Sequence, residues 1–374
     1  MKKIKTISVM TATGQYNIGD ELILFEEYKI FKKKFKNASF KIFTYDKNSS
    51  LIKDNVEYVT YFPYSIKRHP LKNLYYFWKN IITIAKSDLV IIGGGGLFYE
   101  NEVGASDPIK QWKFRIKIAR FFGKKILYFC VGISLKDENI YKIKYLFDYK
   151  NAYISVRDKK SEKYLKKIGI KSIIIDDPVF SMEPIIDNVI SNKVKESKST
   201  KKKIIGISLR SKQLKDEKEN IEKIINFLQI KGYEIIFLSH SLHPDNKSVN
   251  DYEFLIDFAK KHNIKITSTL TETLEMYKYL DIVIAMRFHA FVLSIVNSIP
   301  FIGLSYSNKT EELARSIGYK YWFNSSLFSF SNFQKVFELL EMNFNAIKID
   351  LKQEYDKIRA KSKISINNFL DGLE

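Results

Sequence analysis

The chain has 374 residues, 45% of them apolar, with 28 Phe and 23 Tyr and a formal net charge of +20. That length exceeds one typical core and predicts two domains, and the apolar content excludes a disordered chain. The single cysteine, Cys130, excludes an internal disulfide and a multi-cysteine metal site.

The first run, Ile4 to Met10, reads as a strand rather than a leader, because Lys5 interrupts its apolar stretch. It feeds the loop TATGQYNIGDELIL, in which Gly14 and Gly19 allow close backbone approach and Asn17 and Asp20 are natural helix caps. The spacing is not that of a dinucleotide fingerprint, although Asp46 follows the next strand, Phe40–Tyr45. Helices are expected over Glu21–Phe35, Lys110–Phe122 and Lys159–Ile168. Further strands are expected at Leu89–Ile92, Lys125–Val131, Ala152–Val156 and Ser172–Ile175. After Ile92 come Gly93, Gly94, Gly95 and Gly96. Such a run presents backbone N–H groups to an anion or sugar hydroxyl, or lets another strand come close; the Lys and Ser/Thr of a nucleotide-hydrolysing loop are absent. Cys130 reads as a small buried hydrophobe.

The polar segment 188–203 reads as an interdomain linker. The alternation then restarts, with strands at Ile204–Leu209, Glu234–Leu238, Ile264–Ile266, Ile282–Ala285 and Phe301–Leu304. Helices are expected near Glu217–Gln229, Tyr252–Lys261 and Leu270–Tyr279, with a basic helical end over Asn332–Leu370. Alternation of this kind specifies parallel sheets with crossover helices. The expectation is α/β: two doubly wound, Rossmann-like domains facing a cleft, residues 1–190 and 200–345, with a C-terminal helix, 346–374, returning to the first.

Eight of the 62 basic residues are Arg and 54 are Lys. Scattered Lys makes solvated faces and lowers the cost of lying near anionic glycan, lipid-linked sugar or membrane phosphate. No nucleic-acid module is visible, so no nucleic-acid partner is expected. The Arg positions are more selective: Arg157, Arg210 and Arg287 each stand at a strand end, where a planar fork can grip carboxylate or phosphate. Arg287 is followed by His289 and an apolar helix, so a cation and an imidazole sit beside a helix N-terminus at the sheet edge where ligands bind. His240, His243 and Asp245 share one strand-end loop that fits no familiar zinc pattern, so no metal is expected. No apolar run reaches the ~18 residues of a membrane helix; Leu71 to Ile92 is broken by Lys79, Lys86 and Asp88. A cytoplasmic protein, peripheral to the inner face of the membrane where it meets lipid-linked sugar, is expected.

Together NIGDE (Asn17–Glu21), GGGGLF (Gly93–Phe98), SVRD (Ser155–Asp158), DDP (Asp176–Pro178), ISLR (Ile207–Arg210), RFHA (Arg287–Ala290) and the spaced set Pro300, Tyr306 and Lys309 resemble the polysaccharide pyruvyltransferase family. Phe288 departs from the smaller aliphatic residue more usual there. The resemblance implies a fold similar to glycosyltransferase B and transfer of pyruvate from phosphoenolpyruvate to hydroxyls of a cell-surface glycan or its lipid-linked precursor. It implies donor binding through Arg210, Arg287 and His289, extended to Tyr306 and Lys309. The acceptor is expected at Asn17, Gly19, Asp20, Gly94, Gly95, Gly96 and Arg157. His289 would be the general acid and Asp20 a base, with no cofactor beyond phosphoenolpyruvate as co-substrate. Two other readings fit the residues. One is a glycosyltransferase using a nucleotide-sugar, with Glu272 or Glu275 on the ribose. The other is a non-enzymatic basic protein that binds glycan or RNA.

Overall fold

The computed structural model describes residues 4–54, 56–62, 70–100, 108–185, 202–214 and 217–373; His69 and residues 188–201 of the expected linker lie outside these. The chain divides into two compact α/β units. One comprises Met1–Gln15, Asp20–Ser181 and Ala360–Glu374; the other comprises Tyr16–Gly19 and Met182–Arg359.

The first unit is built on β1 (Thr6–Met10), β2 (Ser39–Thr44), β3 (Glu57–Thr60), β4 (Leu89–Ile92), β5 (Gly95–Tyr99), β6 (Lys125–Ser134), β7 (Ala152–Val156) and β8 (Ile173–Ile174). Their order is β3-β2-β1-β4-β6-β7-β8, all parallel, with β5 pairing β6 beyond the end of β4. The second unit holds β9 (Ile204–Ser208), β10 (Glu234–Phe237), β11 (Lys265–Ile266), β12 (Ile282–Ala285), β13 (Phe301–Ser305) and β14 (Trp322–Asn324). Their order, β11-β10-β9-β12-β13-β14, is that of a doubly wound dinucleotide-type sheet. Strand order reverses between β1 and β4 in one sheet and between β9 and β12 in the other. Crevices at such points, beyond the carboxyl ends of the strands, are where α/β sheets bind ligands.

The strands β4, β9, β12 and β13 are buried along their whole length. Helices cover both faces of a parallel sheet, so its strands become unbroken apolar runs rather than alternating ones. Three strands escape the sequence pattern. β3 and β14 are short edge strands, and β5 begins with two glycines, whose pairing is decided by β6. The basic C-terminal stretch is two helices, Phe330–Met342 and Phe344–Asp371, separated at Asn343. Near the chain end Ile366, Leu370 and Leu373 join a first-unit core containing Phe31, Phe129 and Cys130. Burial pushes the Cys130 thiol well above its ordinary value, as its apolar role requires.

The helix Ile18–Lys34 buries three carboxyl groups, Glu21, Glu26 and Glu27, along with its apolar face. Glu21 Oε1 accepts from the Gly14 N–H at 2.8 Å and the Ser49 hydroxyl at 2.7 Å. Burial raises its carboxyl from an ordinary 4.5 to about 7, against those two hydrogen bonds. As pH rises, the unfolded state loses this proton first. Wild-type stability should therefore fall between about pH 4.5 and pH 7, by roughly 3 kcal/mol, and the loss should level off above that. Glu21→Gln should be more stable than wild type at pH 8 but not at pH 5. Urea denaturation at both values reads this directly; a difference independent of pH would assign the slope elsewhere.

Candidate active site

In the second unit the loops after β9, β12 and β13 carry the expected donor residues. Arg210 lies two residues past β9, Arg287 two past β12, and Tyr306 directly past β13. The structure brings Arg210 and Tyr306 together: the guanidinium carbon stands 5.0 Å from the ring centroid, a cation–π contact. Among the described residues Arg210 Nε is buried without a hydrogen-bond partner. Arg287 is the N-cap of the helix Phe288–Val296, and Ser307 is the N-cap of the helix Asn308–Ser316, whose second residue is Lys309. Neither cap residue offers its side chain to the first turn. Both helices thus end in backbone N–H groups and a positive dipole end at the sheet's carboxyl edge.

Arg287 is more constrained than a ligand-gripping fork would be. Its Nε donates to Asp251 Oδ2 at 3.1 Å, while Nη2 donates to Asp251 Oδ1 and, at 3.2 Å, to the Val249 carbonyl. Burial opposes its charge, but the adjacent Asp251 carboxylate outweighs that and holds the guanidinium above its ordinary value. Asp251 Oδ2 also accepts the N–H groups of His240 (3.1 Å) and Ser241 (3.0 Å). This one buried carboxylate therefore ties the loop after β10 to the strand end that bears Arg287. Sequence reasoning missed it, because an Asp following Asn250 at a helix start looks like an ordinary first-turn acid.

His240 is a satisfied core histidine. Its Nδ1 is 2.8 Å from Ser208 Oγ and its Nε2 is 2.9 Å from the Tyr277 hydroxyl. Burial lowers it to about 3, so the ring is neutral. With both nitrogens engaged it offers nothing to a metal. His243 Nδ1 accepts the Asp245 N–H at 3.1 Å.

The segment Tyr16–Gly19 docks on that same loop, as part of the second unit. The Ile18 N–H donates to the His240 carbonyl and the Leu242 N–H to the Tyr16 carbonyl, each at 2.9 Å; Asn17 forms an antiparallel bridge with Ser241. Asn17 Oδ1 accepts the Gly19 N–H at 3.0 Å. Gly19 then lies directly on His289: a Cβ there would stand 1.9 Å from Nδ1 and 2.7 Å from Cγ. Asn17 and Gly19, expected on the first domain, thus belong to the second unit, where Gly19 lies on the imidazole.

Asp20, the next residue, belongs to the first unit. A Cβ on Gly95 would stand 3.5 Å from Asp20 Oδ1, and Gly95 itself has φ +95°. Gly95 and Gly96 are not an open loop, since they pair with Val131 and Gly132 of β6. The Gly94 N–H donates to the buried Glu27 carboxyl, and a Cβ on Gly93 would fall 2.1 Å from Glu27 Oε2. Burial lifts Glu27 well above the ordinary carboxylate range. Close packing of helix on strand thus accounts for Gly93 and Gly94. Arg157 pairs with Asp177 at 3.0 Å, both side chains being buried. Asp46 caps the short helix Lys47–Ser49.

The fold recurs in solved structures with little sequence identity. UDP-GlcNAc 2-epimerase from Methanocaldococcus jannaschii superposes with a TM-score of 0.54 at 14% identity, covering 89% of this chain and 92% of the epimerase. A glycosyltransferase from Rickettsia africae gives 0.56 at 14% identity, over 98% and 99% of the two chains. Medicago truncatula UGT71G1, complexed with UDP-glucose, gives 0.57 at 10% identity, over 99% and 98%. The chain therefore has the two-domain fold of glycosyltransferase B. No curated protein matches its sequence. The family model for polysaccharide pyruvyl transferase matches residues 17–308. That span starts at Asn17 and ends beside Lys309, so it takes in the docked segment, the glycine run and the strand-end arginines alike; the chain belongs to the polysaccharide pyruvyl transferase family.

Proposed function

We propose that this transferase moves the pyruvyl group of phosphoenolpyruvate onto two hydroxyls of a cell-surface glycan or its lipid-linked precursor, closing a ketal and releasing phosphate. The observation that carries the reading is the convergence of Arg210, Arg287, His289, Tyr306 and Lys309 on one sheet edge, with two helix N-termini that lack side-chain caps. A donor with one carboxylate and one phosphate matches two such anion-binding ends. His289 protonates the methylene carbon, and a sugar hydroxyl attacks the resulting cationic carbon. Its proton passes to a base, for which Asp20, next in chain to Gly19, is the candidate. A second hydroxyl then displaces phosphate, its proton leaving with the phosphate, whose remaining charge the arginines and N–H groups stabilise. Arg287 contributes through its position at the helix start, with Asp251 holding the fork.

The nucleotide-sugar reading has less support. It asks for a ribose-binding carboxylate, and Glu272 instead accepts the Ser268 N–H at 2.9 Å and pairs with Lys265 at 3.3 Å. Phosphate release from phosphoenolpyruvate, measured against a panel of glycan acceptors, tests the proposal. Release is expected only when donor and acceptor are both present. Arg210→Lys should weaken donor affinity at least about tenfold, since it loses a contact worth roughly 1.5–3 kcal/mol. Turnover of a nucleotide-sugar with none of phosphoenolpyruvate would replace this reading with its rival.

A further inference from the structure

The first-unit helix Pro70–Lys86, PLKNLYYFWKNIITIAK, is apolar on two sides: Ile84 joins the core and Phe77 packs on Phe62 and Phe114, yet a second apolar stripe is exposed. Its buried positions are Asn73, Asn80 and Ile84. Asn80 turns inward to serve backbone, donating to the Thr60 carbonyl at 2.8 Å and accepting the Phe62 N–H at 3.1 Å. Five large apolar side chains face the other way: Leu71 is 82% exposed, Leu74 56%, Tyr75 59%, Trp78 54% and Ile82 48%. Their spacing of three, four, seven and eleven residues places them on one stripe. They line a groove of about 680 Å³ that does not include the residues of the candidate active site. A soluble face gains nothing from such a stripe, so it marks a contact surface.

The charge pattern selects the partner. The helix carries Lys72, Lys79 and Lys86 and no acidic residue, in a chain of net charge +20. That charge opposes self-association of two copies through this face. The one carboxylate lining the groove, Glu57, is paired with Lys41 on the neighbouring strands, so the stripe of Leu, Ile, Trp and Tyr is flanked on its own helix by Lys alone, the composition of a helix lying in the plane of an anionic bilayer. Aromatic rings such as Tyr75 and Trp78 settle at headgroup depth, where Lys meets lipid phosphate. Among the described residues no helix is long and apolar enough to cross a membrane, so contact through this helix would be in-plane.

We propose that the Pro70–Lys86 helix docks the protein on an anionic membrane surface, a property independent of which donor the active site uses. Co-sedimentation of the full chain with phosphatidylglycerol–phosphatidylcholine vesicles, and with phosphatidylcholine alone, tests it. Binding to the anionic vesicles only is expected, weakening with salt and shifting fluorescence to the blue in wild type but not in Trp78→Phe. Leu74→Glu with Trp78→Glu, and separately Lys72→Glu with Lys79→Glu, should each reduce partitioning at least about tenfold. Leu74, Trp78 and Lys72 are exposed and Lys79 half-buried, so thermal melting should match wild type and separate lost docking from lost folding. Wild type that stays in the supernatant, or a Leu74→Glu/Trp78→Glu chain that binds as well as wild type, overturns the proposal. So does a dimer in sedimentation velocity that this variant dissolves while vesicles make no difference, which would make the partner a second copy.

Discussion

Replacing His289 with Gln is expected to lower kcat by about 10²–10⁴-fold while leaving phosphoenolpyruvate affinity within a few-fold of wild type. Gln keeps much of the ring's size and some of its hydrogen bonding, but has no transferable proton. His289 stands at the second position of its helix, two residues from Arg287 and immediately under Gly19, so its ring is held at the sheet's carboxyl edge. A general acid there would deliver its proton to the donor's methylene carbon. One further readout follows. In deuterated water the methyl group of the pyruvyl product should carry one deuterium from solvent. A His289→Gln enzyme with near-normal kcat would leave His289 as an anion-binding or packing residue and move the acid elsewhere.

Much of the fold was legible because parallel strands are apolar runs and their helices are not. DLVII and DIVIA read as buried strands, and the cation and imidazole after DIVIA mark the sheet edge from sequence alone. The losses have physical causes. β5 is invisible because Gly95 and Gly96 have no strand propensity of their own; β6 imposes the pairing. Nothing in the sequence marks Glu21 or Glu27 as buried. They are buried because the N–H groups of Gly14 and Gly94 need acceptors in places the strands cannot supply. Asp251 was passed over for a similar reason: its worth comes from Arg287, His240 and Ser241, which converge on it only after folding. The four-glycine run had two readings, ligand contact or close packing. Gly93 and Gly94 meet the second through Glu27, whereas Gly95 lies beside Asp20.

Gly19→Ala should lower kcat by about 10²-fold without unfolding the protein. In isolation the change is favourable, since alanine in a helical turn is worth up to about 1 kcal/mol over glycine. Its cost lies in one contact. The added methyl would stand 1.9 Å from His289 Nδ1, 2.4 Å from Cε1 and 2.7 Å from Cγ, so the whole ring obstructs it and not merely a flexible tip. Neither backbone can readily yield. Ile18 and Tyr16 are hydrogen-bonded to the loop after β10, and the helix behind His289 is buried from Ala290 to Val296. The imidazole must therefore turn aside by more than ~1 Å, a displacement that costs catalysis on the order of a hundredfold when the group is the proton donor. The double variant, Gly19→Ala with His289→Gln, discriminates. If the methyl acts only through the ring, the double variant should be no slower than His289→Gln alone, with effects far from additive. Additive losses would mean that Gly19 serves the acceptor by its own backbone. A Gly19→Ala enzyme with wild-type kcat would mean that His289 does not need the position in which the structure holds it.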